Sequence, residues 1–305
     1  MSGNNIIDDL KNQFKYGDIL IKFIFVNIGV WLTLQIFKIL FFFFGIDSST
    51  VFDFARNWLA VPSNIILLIK KPWTLFSYMF LHFEIMHILF NMLMLYWFGK
   101  IFLMYLKSKQ FVTVYILGGL AGGLLYVISF NVFPVFNNLV ESSYALGASA
   151  SVLAIVIAIA TYIPNFKINL FLIGPVKLKY IAIFSVVLDF LQIDSNNSGG
   201  HIAHIGGAIL GYFYIVQLKK GKDWATIFYK IIDAIGSLFR FKRSKLKVEY
   251  SAKKSSRPVS DEDYNLNKKK EQDTMDEILD KIKKSGYDSL TSEEKNFLFN
   301  ISKRN

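Results

Sequence analysis

The sequence predicts an all-α polytopic membrane protein of six transmembrane helices with a small helical tail, on three observations. Hydrophobic residues make up 53% of the 305, and 30 of them are phenylalanine, more than a water-facing domain of this size needs. Apolar runs long enough to cross about 30 Å of hydrocarbon lie at about 19–45, 78–98, 111–131, 147–163, 173–191 and 200–218. Lysine and arginine gather in alternate connections. With no cysteine present, disulfides and thiolate metal sites are excluded.

In chain order, residues 1–18 are polar and carry acids beside Lys11 and Lys15, unlike the basic-then-apolar pattern of a cleaved signal. The first apolar run is therefore expected to stay, opening a membrane domain over 19–218. The connection 46–76 mixes Phe52, Phe54, Trp58 and Ile65 to Leu68 with polar residues, as a segment lying in the lipid interface would. Lys100, Lys107 and Lys109, then Lys167, Lys177 and Lys179, then the basic stretch from Lys219 fall on one side. By the positive-inside rule both termini are cytoplasmic, in what is expected to be a bacterial cytoplasmic membrane. The net charge of +11 is read as topology and attraction to anionic headgroups of the bilayer, with no nucleic acid as partner.

Beyond Leu218, Trp224, Ile227, Phe228, Ile231, Ile232, Ile235, Leu238 and Phe239 recur at helical spacing, predicting a basic amphipathic interfacial helix within 219–243. Residues 244–270 read as a flexible linker. Two capping boxes, Thr274 to Glu277 and Thr291 to Glu294, flank Ser285-Gly286. They predict a helical hairpin over 271–305, with Ile278, Leu279 and Ile282 facing Phe297, Leu298 and Ile301. Its partner cannot be read from the sequence.

Polar residues inside apolar runs mark function, because hydrocarbon penalises them. Counting about 1.5 Å per residue back from the lysine-rich ends puts Ser149 and His204 level, each about 22 Å up, with His87 at about 20 Å and Asn91 at about 14 Å. The fourth helix is then too short to span, and the polar approach 137–143 must dip inward along a wet cavity. Ala203, Gly207 and Gly211 on the sixth run and Ala150, Ala154 and Ala158 on the fourth allow the two backbones to approach closely. Acyl transfer from a peptide needs a nucleophile, a base and oxyanion donors. Ser149 and His204 are the candidate nucleophile and base. The Ser149 N–H, at a helix start, joins His87 and Asn91, four apart on one face, as candidate oxyanion donors.

These motifs, Gly147-Ala148-Ser149-Ala150, His87-Ile88-Leu89-Phe90-Asn91 and His201-Ile202-Ala203-His204-Ile205-Gly206-Gly207, resemble those of the rhomboid family of intramembrane serine proteases over about Trp73 to Leu218. The resemblance implies a six-helix rhomboid-like bundle, Ser149 and His204 as a catalytic dyad, and His87 and Asn91 as oxyanion residues. It also implies transmembrane protein substrates, single-span ones included, entering between the second and fifth helices, and a cap at 194–200. No cofactor or metal is implied. His82 falls where the family often carries a cavity histidine. Ala150 stands in place of a common glycine, and Pro72-Trp73-Thr74 in place of a frequent Trp-Arg pair. Leu153 replaces an aromatic residue beneath the base, so His204 must be oriented in another way. Asp189, which could orient His204 as a third member, is read instead as an interfacial acid, since the family works with a dyad, and His201 as cavity lining.

Three other readings compete. His82-Phe83-Glu84-Ile85-Met86-His87 approaches HExxH, but its histidines are five apart and its glutamate comes one residue late. A transporter would show an internal repeat, and none is visible. A catalytically inactive rhomboid-like protein that binds membrane clients would lack the nucleophile or the base, and this chain has both.

Overall fold

The structure is a computed structural model and describes residues 17–170, 173–239 and 261–302. It divides into two units, Met1–Arg240 and Phe241–Asn305.

The first unit is a helical bundle. Its helices are α1 (Ile19–Phe43), α2 (Ser49–Leu59), α3 (Ile65–Lys70), α4 (Thr74–Ser77), α5 (Ile85–Tyr105) and α6 (Ser108–Val132), followed by α7 (Ser149–Tyr162), α8 (Leu178–Leu191), α9 (Ser198–Lys219) and α10 (Trp224–Phe239). Each of the six expected apolar runs contains a helix. Among the described residues four, α1, α5, α6 and α9, are long and apolar enough to span a membrane. The other two, α7 and α8, have 14 residues each, fewer than the about 20 a full crossing needs.

Two boundaries differ from the expected ones. Residues 78–84 form a short 3-10 turn and a loop, and α5 runs on through Gly99 and Lys100 to Tyr105, because one glycine costs a helix only about 1 kcal/mol. The fifth helix starts at Leu178, since β3 (Lys167–Leu170) and β4 (Gly174–Lys177) pair antiparallel before it. Pro175 in β4 has no N–H to give a helix.

The centre of the bundle is α6, α7 and α9. Between helices in lipid the attraction is close contact, since the surrounding chains are as apolar as the side chains. Glycine makes that contact possible. A Cβ added at Gly122 of α6 would lie 2.6 Å from Ala150 Cβ and from the Ala203 carbonyl oxygen, and one at Gly206 would lie 2.7 Å from the Ala121 oxygen. Gly207 and Gly211 of α9 abut the carbonyls of Ala150 and Ala154 in α7. The expected small-residue stripes on the fourth and sixth runs therefore face each other.

Connection 46–76 forms α2, β1 (Val61–Pro62), α3 and α4. Phe54, Ile66 and Ile69 are exposed, as an interfacial segment requires. Trp73 stacks on Trp58 at 6.2 Å between ring centroids and donates Nε1–H to the Trp58 carbonyl, while Lys71 Nζ donates to the Asn57 carbonyl. These contacts anchor the loop although the Trp-Arg pair is missing. On α10, Ile227, Ile231, Ile232 and Ile235 are exposed while Trp224 and Phe228 pack on the core. Asp223 caps this helix at the Ala225 N–H and accepts from Tyr214 of α9 and Gln110 of α6.

In the second unit α11 (Asp261–Ser285) and α12 (Ser292–Ser302) form the expected hairpin, but α11 begins ten residues earlier than 271. Lys283 and Lys284 stand in its last turn, where cations suit the helix dipole. Residues 244–260 of the expected linker lie outside the described residues, as do residues 1–16. Thr274 caps nothing: it is inside α11, donating to the Lys270 carbonyl. The second capping box forms as expected. Thr291 N–H donates to Glu294, and Glu294 N–H donates to Thr291 Oγ1. Ile278 is buried, whereas Leu279, expected to face α12, is half exposed, because it lies one residue off the inward stripe.

Candidate active site

Ser149 is the first residue of α7, and the strand that leads to it is held from below. β2 (Tyr144–Ala145) pairs antiparallel with β1, joining Val61 to Ala145 and Pro62 to Tyr144. Ser63 Oγ donates to the carbonyls of Val140 and Ser143. This ties the approach expected to dip inward onto connection 46–76; its first residues, 137–139, end a short 3-10 helix, Pro134–Leu139.

The turn into α7 is made by Gly147, whose φ of 118° is a conformation side chains rarely adopt. Its N–H donates to the Tyr78 carbonyl. A Cβ at this position would meet the His87 ring at 2.7 Å from Cε1, so glycine lets the His87 imidazole lie against the turn. The Ala148 N–H donates to Nε2 of buried His82 at 3.3 Å. No side chain caps α7. The Ser149 N–H is left with no helical acceptor, at the positive end of the helix dipole.

Ser149, His87, Asn91 and His204 line one cavity of about 1350 Å³. All four candidate residues are thus brought together. The cavity lies between α5, which supplies Met86, His87, Phe90 and Asn91, and the end of α8 with Asp189 and Ile193. Its further wall is the turn 194–197 and the start of α9. The expected cap at 194–200 is therefore shorter, since Ser198 to Gly200 are already helical. Asn91 Nδ2 donates to the His87 carbonyl at 2.9 Å, which uses one amide hydrogen and leaves the second. Among the described residues no hydrogen bond joins Ser149 Oγ to His204, although such contacts commonly tighten only when substrate is bound.

The arrangement around His204 differs from the sequence reading. His204 Nδ1 lies 2.7 Å from Asp189 Oδ1, and His201 Nδ1 lies 2.8 Å from the same oxygen. Asp189 is 9% exposed, a buried partner of both rings and not an interfacial acid. The physical reason is the cost of a carboxylate among apolar residues, which falls when it accepts charge-assisted hydrogen bonds. That cost was the available signal: an acid in an apolar run calls for a partner, and two histidines three apart share one helix face. Leu153, the residue in place of an aromatic one, is buried and lines the cavity.

The ligand atoms of Asp189, His201 and His204 lie within 4.8 Å of one another, so these are the residues that could hold a metal. Both Nδ1 contacts have hydrogen-bond lengths to a single shared oxygen, which fits a carboxylate accepting two N–H groups. Among the described residues no such grouping includes His82, Glu84 or His87, and His82 Nε2 is already engaged as an acceptor.

A helical bundle with four helices long and apolar enough to cross a membrane among its described residues defines the class of the polytopic membrane proteins. The rhomboid domain family matches residues 70–220, and the chain belongs to the rhomboid family. Residues 260–304 match a family of unknown function, DUF6576. The chain is 30% identical over 146 residues to Presenilin-associated rhomboid-like protein A, mitochondrial, of Danio rerio, covering 45% of this chain and 35% of that one. It is 28% identical over 158 residues to RHOMBOID-like protein 12, mitochondrial, of Arabidopsis thaliana, covering 49% and 47%. The matched stretch thus spans about a third to a half of these relatives. Both are named as mitochondrial, which overturns the expectation of a bacterial cytoplasmic membrane with cytoplasmic termini. Charge counting compares the two sides of a membrane and carries no information about which membrane it is.

Proposed function

We propose that this chain is an intramembrane serine endopeptidase that hydrolyses a peptide bond in or near the transmembrane segment of a membrane-protein client. The observation that carries this reading is the shared cavity, in which Ser149 at the dipole end of α7, His204 of α9 and the His87–Asn91 face of α5 converge. His204 takes the Ser149 hydroxyl proton as Oγ attacks the client's carbonyl carbon. The oxyanion then accepts hydrogen bonds from the Ser149 N–H, His87 and Asn91. His204 returns the proton to the departing amine, and the C–N bond breaks. Water, activated by the same base, then releases the acyl group and restores Ser149.

The cavity's position between α5 and α8 supports client entry between these helices from the lipid. Backbone in a helix has its carbonyls hydrogen-bonded, so a client must unwind locally, and clients with glycine or proline near the cut are favoured. The exposed isoleucines of α10 support an interfacial role for residues 219–243, and the charge of residues 271–305 supports a water-exposed tail domain. The test is cleavage of a single-span reporter by the purified chain. Ser149→Ala and His204→Ala are expected to stop cleavage; equal cutting by all three proteins overturns the serine mechanism, and binding of the reporter with no cutting by the wild type overturns the reading in favour of a client-binding protein.

A further inference from the structure

A serine–histidine dyad has no use for Asp189 or His201, yet Asp189 lies within hydrogen-bond distance of the base and His201 of the same Asp189 oxygen. Resting on the peptidase reading above, we propose that Asp189 is a positioning residue for His204 and that His201 holds Asp189 in place. The reactive unit of this chain is then a line of four groups running from Ser149 through His204 and Asp189 to His201.

A neutral imidazole carries one N–H, and which nitrogen bears it is set by the partner of the other. An ionised carboxylate only accepts. With Asp189 Oδ1 at 2.7 Å from His204 Nδ1, the proton rests on Nδ1 and the lone pair of Nε2 is left free for the Ser149 hydroxyl. The ring's plane needs fixing from somewhere. Leu153 fills space beneath the cavity with methyl groups, which contact a ring but do not align it as a stacked aromatic face does. A single short hydrogen bond supplies the missing restraint, and the same carboxylate faces the imidazolium that forms when His204 takes the proton.

His201 supplies the second restraint. It sits one turn before His204 on the same face of α9, with Nδ1 2.8 Å from the same oxygen of Asp189. Two N–H groups on one rigid helix fix Oδ1 between them, so Asp189, carried by the separate helix α8, cannot rotate away without losing both. The three side chains are 12–21% exposed, enough enclosed for the contacts to keep their strength.

The test uses the full chain in lipid discs with a single-span reporter, measuring kcat, KM, thermal midpoint and the rate at which a fluorophosphonate labels Ser149. The Asp189→Asn amide keeps the shape but can donate to Nδ1 and so favour the wrong tautomer. It is expected to lower kcat and the labelling rate by about 10²-fold, the cost of a misplaced catalytic group, with KM and thermal midpoint unmoved. Asp189→Glu should recover part of both rates, and His201→Gln should cost about tenfold or less. Wild-type labelling and kcat in Asp189→Asn, with Ser149→Ala inert, overturns the proposal and leaves the peptidase reading standing. A fall in kcat that only follows the loss of folded protein, with no recovery in Asp189→Glu, also overturns it by making Asp189 structural. Cutting by Ser149→Ala at the wild-type rate overturns both.

Discussion

Two helices meet at the candidate site and are held by opposite means. Helix α9, which carries His204 and His201, lies between α6 and α7 with its glycines against their backbones, and eight of its residues are buried. Helix α8, which carries Asp189, buries Leu178, Ala182 and Asp189, and exposes Phe184, Val187, Phe190 and Leu191. The proposed nucleophile and base thus ride on a core that cannot shift without overlap, while the carboxylate sits on a helix whose outer face is exposed. A rigid pair flanked by a less tightly seated wall suits a site that must hold its chemistry still and still admit a whole peptide chain.

The severest test of this contrast is Gly207→Leu. A Cβ there already overlaps the Ala150 carbonyl, so α7 and α9 must separate. Cleavage is expected to vanish, with a fall in stability of at least the about 1–3 kcal/mol typical of overpacking, read as a lower thermal midpoint in detergent. A variant with full activity would show that the close approach is dispensable.

Next in size is Gly147→Ala. Alanine is strained at a φ of 118° and meets His87. The backbone cost is about 1–3 kcal/mol, and displacement of Ser149 and His87 should cut kcat by about 10²-fold with a smaller change in midpoint than Gly207→Leu gives. Steady-state cleavage beside a melting curve separates the two.

On the other helix, Phe184→Ala removes a ring that is 63% exposed. Stability should stay within about 0.5 kcal/mol, with kcat unchanged. A large drop in midpoint would mean that α8 is as firmly seated as α9, and the contrast would be lost.

The smallest effect lies in the second unit. Lys281 beside Glu294, and the Thr291 N–H, hold the Glu294 carboxyl below its ordinary value of 4.5. A group lowered on folding adds stability above its unfolded value, and that stability is lost as pH falls through the folded value. The protection of α12 amides, that is exchange relative to its intrinsic rate at each pH, should therefore be unchanged between pH 7 and 5 and fall modestly below about 4.5. Lys281→Ala should remove that pH step.

Much of this was legible from residue order. Gly147 to Ala150 and His201 to Gly207 pointed to Ser149 and His204, which line one cavity, and the i, i+4 small residues gave the packing faces, because helical periodicity is local and follows from spacing alone. Residue order could offer His204 as a partner for Asp189 but not decide it, since fourteen residues, a loop among them, lie between the two, and a hydrogen bond between separate helices depends on how those helices turn about their axes. Thr274 failed for the converse reason: a capping box reads the same inside a longer helix as at its start.

By itself the sequence determined that the chain is a set of apolar helices, which residues share a face on each, and which polar groups sit too deep to be idle. Only the tertiary structure decided which faces meet, that Gly147 must take a positive φ to seat His87, and that one carboxylate oxygen serves two histidines. Faces are set by the 3.6-residue turn, which the chain carries within itself. Meetings are set by contact between distant segments, where small residues let backbones touch and buried charge requires a partner.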